Sequence, residues 1–307
     1  MRFETIPDGI RVLAPAKVNL YLEVGPLLTS GEYKGYHEID SIFQSITLFD
    51  ELELRWEPRG EIVLEEEGIR EAEKNLVFRA AERLASSPIA RGRTGLGARL
   101  RLCKRIPEGA GLGGGSSDAA AALLGLNVLW GLGATPAELA PLALELGSDV
   151  PFFLVGGTAR CQGRGERVTD WSEAFDRYDP LHYVLAYPRR KAPTRLVYEA
   201  LDAQRGPEFA LTAPSPLDSM PPASVREHLG YGSVFFNRFE AVVLAAYPEV
   251  ERLHAELLRE PFLKVLMSGS GSTVFGVCRT AQAAEEIASR LRARVQADVF
   301  VAATLRK

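Results

Sequence analysis

Cysteine is scarce in this 307-residue sequence, which contains only Cys103, Cys161 and Cys278, far apart in the chain. An odd and widely spaced set argues against a disulfide framework and against a zinc site, and it is typical of a reducing compartment. The opening residues, MRFETIPDGI, lack the apolar core of a signal peptide. We therefore expect a cytoplasmic protein.

Long apolar runs and basic clusters are also missing. No apolar stretch approaches the roughly 18 residues of a membrane span, so the sequence predicts none. The net charge is −4 with Lys and Arg spread along the chain, which disfavours nucleic-acid binding. A composition of 46% hydrophobic and 25% charged residues is ordinary for a globular enzyme. The length favours two domains, and we place the boundary between residues 165 and 166.

Glycine is concentrated in one stretch, KRIPEGAGLGGGSSD, which runs from Lys104 to Asp118 and holds five glycines between residues 109 and 115. Glycine loses more backbone freedom on folding than other residues, so such a cluster needs a reason. Backbone amides approach a ligand closely only where no side chain intervenes. Ser116, Ser117 and Asp118 then read as cap residues of an alanine-rich helix that ends at Gly131. Bare amides before a helix N-terminus predict a phosphate-binding loop.

Other interpretations of this loop are weaker. Gly109, Gly111 and Gly114 match G-x-G-x-x-G, but no acidic residue follows at the distance that a dinucleotide fold needs. A P-loop would carry Gly-Lys-Ser/Thr, whereas Ser116 follows the last glycine here. Any cationic partner for a phosphate therefore comes from elsewhere in the chain. The remaining alternative is a flexible turn before a capped helix, although one or two glycines suffice for a turn.

Lys17 and Asn19 share one face of a predicted strand, Val12–Val24. The strand rise places them about 7 Å apart and pointing the same way. A solvated strand face is the commoner explanation for such a pair. The small residues Ala14 and Ala16 beside the lysine favour a cleft instead.

Two further charged residues stand at informative places. Asp149 follows a helix that begins with the Thr135 cap and ends at Gly147, and it precedes a predicted hairpin of residues 152–155 and 158–162. A turn residue is the ordinary explanation for such an Asp. Lys104 lies on the apolar face of the predicted strand Ala98–Ile106, where it is expected either to snorkel to the edge or to reach over a ligand.

The remaining pattern predicts a mixed fold. Asn75 is the expected N-cap of a helix that reaches Leu84. Residues 42–54 read as two strands joined by a turn at Asp50. The second half predicts the order strand, helix, two strands, helix and strand, which is ferredoxin-like. It also contains a polar insert at 206–232 and a predicted helix at 233–246.

Four segments together resemble the three motifs of the GHMP small-molecule kinases. They are PAKVNL (Pro15–Leu20), GAGLGGGSSDAA (Gly109–Ala120), LGSDVPFF (Leu146–Phe153) and MSGSGSTVF (Met267–Phe275). Their order and spacing fit the family over most of the chain. With GYH (Gly35–His37), they are most similar to the branch that phosphorylates a cytidine diphosphate-linked methylerythritol in non-mevalonate isoprenoid synthesis. A mevalonate, homoserine or sugar kinase is the alternative, and a non-catalytic ligand sensor is the competing class.

The resemblance implies a fold and a set of ligands. The fold is α+β, with a ribosomal-protein-S5-domain-2-like ATP-binding domain at 1–165 and a ferredoxin-like α/β sandwich at 166–307. The implied cofactors are ATP and Mg²⁺, and the implied partner is the small-molecule substrate, without nucleic acid or membrane. A monomer or a weak homodimer is expected.

The resemblance also assigns residue roles. Asp149 matches the aspartate that takes the hydroxyl proton, and Lys17 matches the lysine that keeps it ionised and meets the transferring phosphate. Asn19, Tyr36, His37, Asp149 and Gly269 are the implied substrate-binding residues, with Tyr36 and His37 on the cytidine ring. The implied ATP-binding residues are Asn75, Lys104, Pro107, Gly109, Ala110, Gly111, Leu112, Gly113, Gly114, Gly115, Ser116 and Ser117.

Two positions depart from the family pattern. Asp118 stands where an asparagine often follows the serine pair; it either serves Mg²⁺ or sits in the first helix turn, and we assign no metal ligand. Asn237-Arg238-Phe239-Glu240 stands where relatives read Asn-Asp-Leu-Glu, which leaves the role of the missing aspartate open.

Overall fold

The computed structural model describes residues 1–30, 34–65, 74–206, 215–230 and 234–307. The chain is a mixture of helices and strands, as expected, and it divides into two compact units. The first unit comprises Met1–Ala16, Phe49–Ile106 and Gly113–Gly156, and the second comprises Lys17–Leu48, Pro107–Leu112 and Gly157–Lys307. The domain boundary after residue 165 stays a prediction.

The first unit combines a sheet with four helices among its described residues. Its strands are β1 (Arg2–Ile6), the start of β2 (Gly9–Leu27), the end of β3 (His37–Trp56), β4 (Ile62–Glu65) and β5 (Ala98–Cys103). Its helices are α1 (Leu76–Ala85), α2 (Gly114–Leu129), α3 (Pro136–Leu146) and α4 (Val150–Val155). β1 runs antiparallel to β2, β5 antiparallel to β3, and β4 parallel to β5.

Helix α2 lies at the centre of this unit. Ala119, Ala120, Ala121 and Ala122 are all fully buried, as expected for a helix that is apolar on every side. A Cβ added to Gly125 would lie 2.1 Å from Leu54 Cδ1, so glycine allows α2 to pack closely on β3. This packing holds α2 against the sheet, and the helix begins at Gly114, where the glycine loop ends.

Two local predictions in the first unit are wrong. Asp50 is not a turn residue, because β3 continues through it and its side chain is fully buried. Residues 150–155 form helix α4 and not the first strand of a hairpin. Pro151 favours a first helical turn, and a six-residue apolar run does not distinguish helix from strand by periodicity.

The second unit contains the remaining elements. They are β6 (Thr158–Gly163), β7 (Arg167–Asp170), α5 (Ser172–Asp176), β8 (His182–Tyr187), α6 (Thr194–Arg205), α7 (Pro222–Gly230), β9 (Phe236–Asn237), α8 (Glu240–Ala246), α9 (Pro248–Leu257), β10 (Lys264–Met267), β11 (Val274–Cys278), α10 (Ala281–Arg294) and β12 (Asp298–Ala303). One antiparallel sheet has the order β10-β11-β8-β12 and packs on α6 and α8–α10 through a shared apolar core. In the rest of the unit, β6 joins β3 to β7, and β9 runs parallel to β2.

The predicted helix at 233–246 begins too early. Residues 236 and 237 pair with β2 as strand β9, and α8 starts only at Glu240. Within the insert at 206–232, α7 and a short 3₁₀ helix (Pro216–Asp218) are ordered, whereas 207–214 and 231–233 lie outside the described residues. Over the described parts of the chain, every helix is too short or too polar to cross a membrane.

Candidate active site

The glycine loop adopts a conformation that only glycine tolerates well. Gly109, Gly111 and Gly113 have φ values of +63°, +79° and +70°. A Cβ on Gly111 would lie 2.1 Å from the carbonyl oxygen of Ser268, which is a backbone atom that cannot swing aside. Gly113 occupies the N-cap position of α2. Ser116, Ser117 and Asp118 consequently lie inside the helix, and the prediction that they cap it is wrong.

Three successive carbonyl groups of the loop are bonded within the second unit. Ala110 O accepts from Thr273 N at 3.2 Å, Gly111 O from Ser268 Oγ at 2.9 Å, and Leu112 O from Lys17 N at 2.9 Å. In a trans peptide the N–H group points away from the carbonyl of the same plane. The N–H groups of residues 111–113 share peptide planes with these carbonyls. They therefore point away from the groups that bond the carbonyls, as a phosphate cradle requires.

Lys17 and Asn19 lie on a buried face of β2. They are 3% and 1% exposed, so the solvated-face explanation does not hold. Lys17 Nζ donates to Asn19 Oδ1 at 2.6 Å, and Asn19 Nδ2 donates to Ser41 Oγ at 2.9 Å. Lys17 Nζ also lies 4.6 Å from the centroid of the Phe43 ring. These contacts orient a buried ammonium group beside the backbone of the glycine loop.

The turn Met267–Thr273 reaches the same place. A Cβ on Gly269 would lie 3.3 Å from Lys17 Nζ and 3.1 Å from Gly111 O. Asn237 Nδ2 donates to the carbonyls of Met267 and Gly269 at 2.7 and 2.8 Å, and so holds this turn. This role of Asn237 was missed at the level of sequence, because its partners lie 30 and 32 residues away.

The departure at Arg238 has a structural partner. Arg238 Nη2 lies 2.6 Å from Glu23 Oε2, and its guanidinium lies 4.6 Å from the centroid of the Phe236 ring. Glu240, which keeps the family pattern, accepts a hydrogen bond from Met267 N at 3.1 Å. The basic residue is thus matched by an acid on β2.

The predicted cytidine-binding residues lie in the second unit. His37 is 7% exposed; its Nδ1 lies 3.0 Å from Gly25 O, and its Nε2 lies 3.3 Å from Asp202 Oδ2. Its ring stacks on Tyr198 with centroids 4.9 Å apart and planes tilted by 30°. Tyr36 is 50% exposed and carries Arg164 over its ring. Tyr198 was missed in the sequence, where a single aromatic residue on a helix reads as core.

Asp149 and Asn75 lie in the first unit. Asp149 precedes α4 at its N-cap position and is half-buried. Asn75 caps α1 as predicted, and its Oδ1 accepts from Val77 N at 2.8 Å. A Cβ on Gly115 would lie 3.5 Å from Leu76 Cδ1, so α1 begins beside the end of the glycine loop. The approach of Asp149 to Lys17 stays a prediction.

Lys104 lies between two buried carboxylates of the first unit. Its Nζ is 2.5 Å from Asp50 Oδ2 and 2.5 Å from Asp118 Oδ2, and the acids are 0% and 2% exposed. Burial raises the pKa of Asp118 to about 7, with Lys104 opposing the rise and Asp50 adding to it. Burial lowers the pKa of Lys104, but the two carboxylates outweigh it and the net direction is upward.

Comparisons with known proteins converge on one family. Residues 75–157 match the family described as GHMP kinases N terminal domain, and residues 222–297 match GHMP kinases C terminal. The chain is 41% identical to 4-diphosphocytidyl-2-C-methyl-D-erythritol kinase of Pelotomaculum thermopropionicum over 96% of this chain and 98% of the relative.

Solved structures give the same picture. A crystal structure of 4-(cytidine 5'-diphospho)-2C-methyl-D-erythritol kinase is 35% identical, with a TM-score of 0.75 over 95% of this chain and 98% of the other. A homoserine kinase from Cytophaga hutchinsonii has a TM-score of 0.68 over 99% of this chain and 97% of the other, at 19% identity. At this identity, the similarity to the homoserine kinase is evidence for the fold alone.

Proposed function

The chain belongs to the GHMP kinase family, and we propose that it transfers the γ-phosphoryl group of ATP to the 2-hydroxyl of 4-diphosphocytidyl-2-C-methyl-D-erythritol. The products are ADP and the 2-phosphate, an intermediate of non-mevalonate isopentenyl diphosphate synthesis. The observation that carries this proposal is the meeting of the glycine loop, the buried Lys17 and the Gly269 turn within the second unit. Similarity to the cytidylyl-substrate kinases over nearly the whole chain selects the substrate.

Phosphoryl transfer depends on positioning and on charge neutralisation more than on covalent catalysis. The N–H groups at 109–115 and the start of α2 bind the ATP phosphates, because amides and a helix N-terminus stabilise anions without a lysine in the loop. Pro107 fixes the direction in which the chain enters this loop. Asn75 and Lys104 border the adenine.

Lys17 and Asp149 act on the group that is transferred. The Lys17 ammonium, oriented by Asn19, offsets negative charge on the transferring phosphoryl group. Asp149 orients the substrate hydroxyl and accepts its proton, and a nearby lysine keeps a carboxylate ionised at neutral pH. Asn19 contacts substrate phosphate.

The described residues fit a Mg²⁺ ion that ATP itself brings. They contain no group of three metal-binding side chains, whereas Ser117 Oγ and Asp118 Oδ1 are buried next to the loop without a hydrogen-bond partner. Mg²⁺ in kinases commonly keeps phosphate and water ligands and only one or two protein oxygens. Ser117 Oγ is the candidate protein ligand, because Asp118 is already paired with Lys104, and the ion would neutralise charge on the phosphates.

The cytidine ring is assigned to the surface around His37. Tyr198 already stacks on His37, and Tyr36 is half exposed and able to cover a base. Aromatic faces bind any base, so hydrogen bonds from the His37 region have to supply the preference for cytosine.

The finer fold assignment also belongs to this proposal. The order β10-β11-β8-β12, with α6 between β8 and β10 and α10 between β11 and β12, supports a ferredoxin-like C-terminal half. For the N-terminal half we retain the ribosomal-protein-S5-domain-2-like description. A cytoplasmic location fits the cysteine usage of the chain, and we retain a monomer or weak homodimer as the proposed assembly.

An acceptor screen tests the function. The purified chain is incubated with Mg²⁺·ATP and, separately, the cytidylyl substrate, mevalonate, homoserine and a sugar, and ADP release is measured. We expect turnover with the cytidylyl compound at least about a hundredfold above the others, since a site built for a nucleotide loses most contacts without it. Phosphorylation of mevalonate alone would establish the rival kinase, and no ADP with any acceptor would favour a ligand sensor.

A further inference from the structure

We propose that Asp50, Lys104 and Asp118 form a buried ion-paired strut that holds together the two flanks of the glycine loop and thereby sets the loop for nucleotide binding. The proposal rests on the proposed ATP site and adds positioning residues to it. It also gives Lys104 a different task from the direct adenine contact that the family resemblance implies.

The first flank of the loop is held by Asp50. Its Oδ1 accepts from the backbone N–H groups of Arg105 and Ile106 at 2.5 and 2.8 Å, while its Oδ2 binds Lys104 Nζ. One fully buried carboxylate of β3 therefore fixes three consecutive residues. These residues lead directly into Pro107 and the loop.

The second flank is reached by the Lys104 side chain. Its Nζ donates to Asp118 Oδ2 on the second turn of α2. A Cβ on Gly114, the first residue of α2, would lie 3.3 Å from the same Nζ and 3.0 Å from Ile106 Cγ2. The ends of the loop, Ile106 and Gly114, are thus in contact, and the Lys104 ammonium group lies beside Gly114.

The charges favour a positioning role over a purely stabilising one. Two buried carboxylates share one ammonium, and desolvation makes such clusters poor contributors to stability although removal of one partner is costly. Asp118 is the less satisfied acid, because its Oδ1 finds no hydrogen-bond partner among the described residues. An asparagine at 118 would still accept a hydrogen bond from Lys104 through its side-chain oxygen. Lys104 and Asp50 would then form an ion pair with no net charge.

A direct contact between Lys104 and ATP makes a different prediction from the strut. If Lys104 contacts ATP directly, binding of ATP depends on the positive charge of Lys104. Asp50 and Asp118 would then weaken binding, because they compete with ATP for that charge. The strut needs Asp50 as much as Lys104. Residues that act through one network also show non-additive effects when they are changed together.

The test measures the dissociation constant of a non-hydrolysable ATP analogue by calorimetry, without any acceptor, for Lys104→Met, Asp50→Asn and the double variant. We expect each single change to weaken binding about tenfold, and the double change to weaken it no more than the worse single one, as in coupled pairs. The dissociation constant of Asp118→Asn should stay within about threefold of that of wild type, whereas that of Asp118→Ala should rise about tenfold. Turnover at saturating ATP should change little in the Asp118 variants.

Glu65→Gln is the matched control, since it breaks the exposed Arg99–Glu65 pair of 3.0 Å in the same unit. Its affinity should equal that of wild type. Wild-type affinity in Asp50→Asn overturns the strut in favour of a direct Lys104 contact. If Asp50→Asn fails to fold, equal affinities of Asp118→Ala and Asp118→Asn overturn it instead. A wild-type chain that binds no analogue overturns the kinase assignment together with the strut.

Discussion

Replacement of Gly111 by alanine tests the glycine loop most sharply. The residue has φ of +79°, which costs an alanine about 1–2 kcal/mol in the left-handed region. The added Cβ would also lie 2.1 Å from Ser268 O and 3.0 Å from Gly271 O. Both contacts are backbone oxygens, so the loop or the turn at 267–273 must move.

The displacement would break the bond from Ser268 Oγ to Gly111 O, worth about 0.5–1.5 kcal/mol. The expected total loss in the free energy of unfolding is therefore about 1.5–3.5 kcal/mol. A loop moved away from its carbonyl partners also misdirects its amides. We expect the KM for ATP to rise at least about tenfold, which corresponds to about 1.4 kcal/mol.

Gly133→Ala is the matched control for backbone strain. Gly133 has φ of +72°, and no heavy atom of the described residues lies within 4 Å of an added Cβ. Backbone strain alone should lower its free energy of unfolding by about 1–2 kcal/mol, and its KM for ATP should stay at the wild-type value. Urea unfolding and steady-state kinetics of both variants provide the measurement. Equal losses of stability with an unchanged KM in both variants would refute the close packing of the loop on the turn.

Three further changes test other parts of the account. Asp149→Asn should fold normally and lose about 10²–10⁴-fold in turnover, because it removes the proton acceptor; wild-type turnover would remove Asp149 from the mechanism. Lys17→Met should lower turnover more than ATP affinity, because the ammonium acts on the transferring group; the reverse result would make Lys17 a binding residue only. Asp118 has a pKa of about 7, above its ordinary 3.8, so its contribution to stability is present below pH 4 and lost as the pH rises through 7. The free energy of unfolding of wild type relative to Asp118→Asn should fall by on the order of 4 kcal/mol between pH 4 and 8; parallel pH profiles of the two proteins in urea unfolding would contradict this.

Local sequence signals predicted the parts of the site that depend on neighbours in the chain. The glycine cluster predicted a loop directly before an alanine-rich helix, and α2 begins at Gly114 at the end of that loop. The alternation in β2 placed Lys17 and Asn19 on one face, and their side chains are hydrogen bonded. Such signals are reliable because the physical cause lies within a few residues.

Signals that depend on distant partners failed. Asp50 reads as a turn residue because a charged side chain interrupts an apolar strand, and only Lys104, 54 residues later, explains its burial. Asn237 likewise shows its role only once Met267 and Gly269 lie beside it. Helix α4 replaced a predicted strand because a short apolar run lacks a diagnostic period.

The position of the transferred phosphate tests the central claim most directly. The chain is incubated with Mg²⁺·ATP and the cytidylyl methylerythritol compound, and the product is examined by ³¹P NMR. The 2-carbon bears the methyl branch and no hydrogen, so the account predicts a new phosphomonoester resonance without three-bond proton splitting, formed together with ADP. A split resonance, which indicates phosphate on another hydroxyl, or inorganic phosphate as the only new product would contradict it.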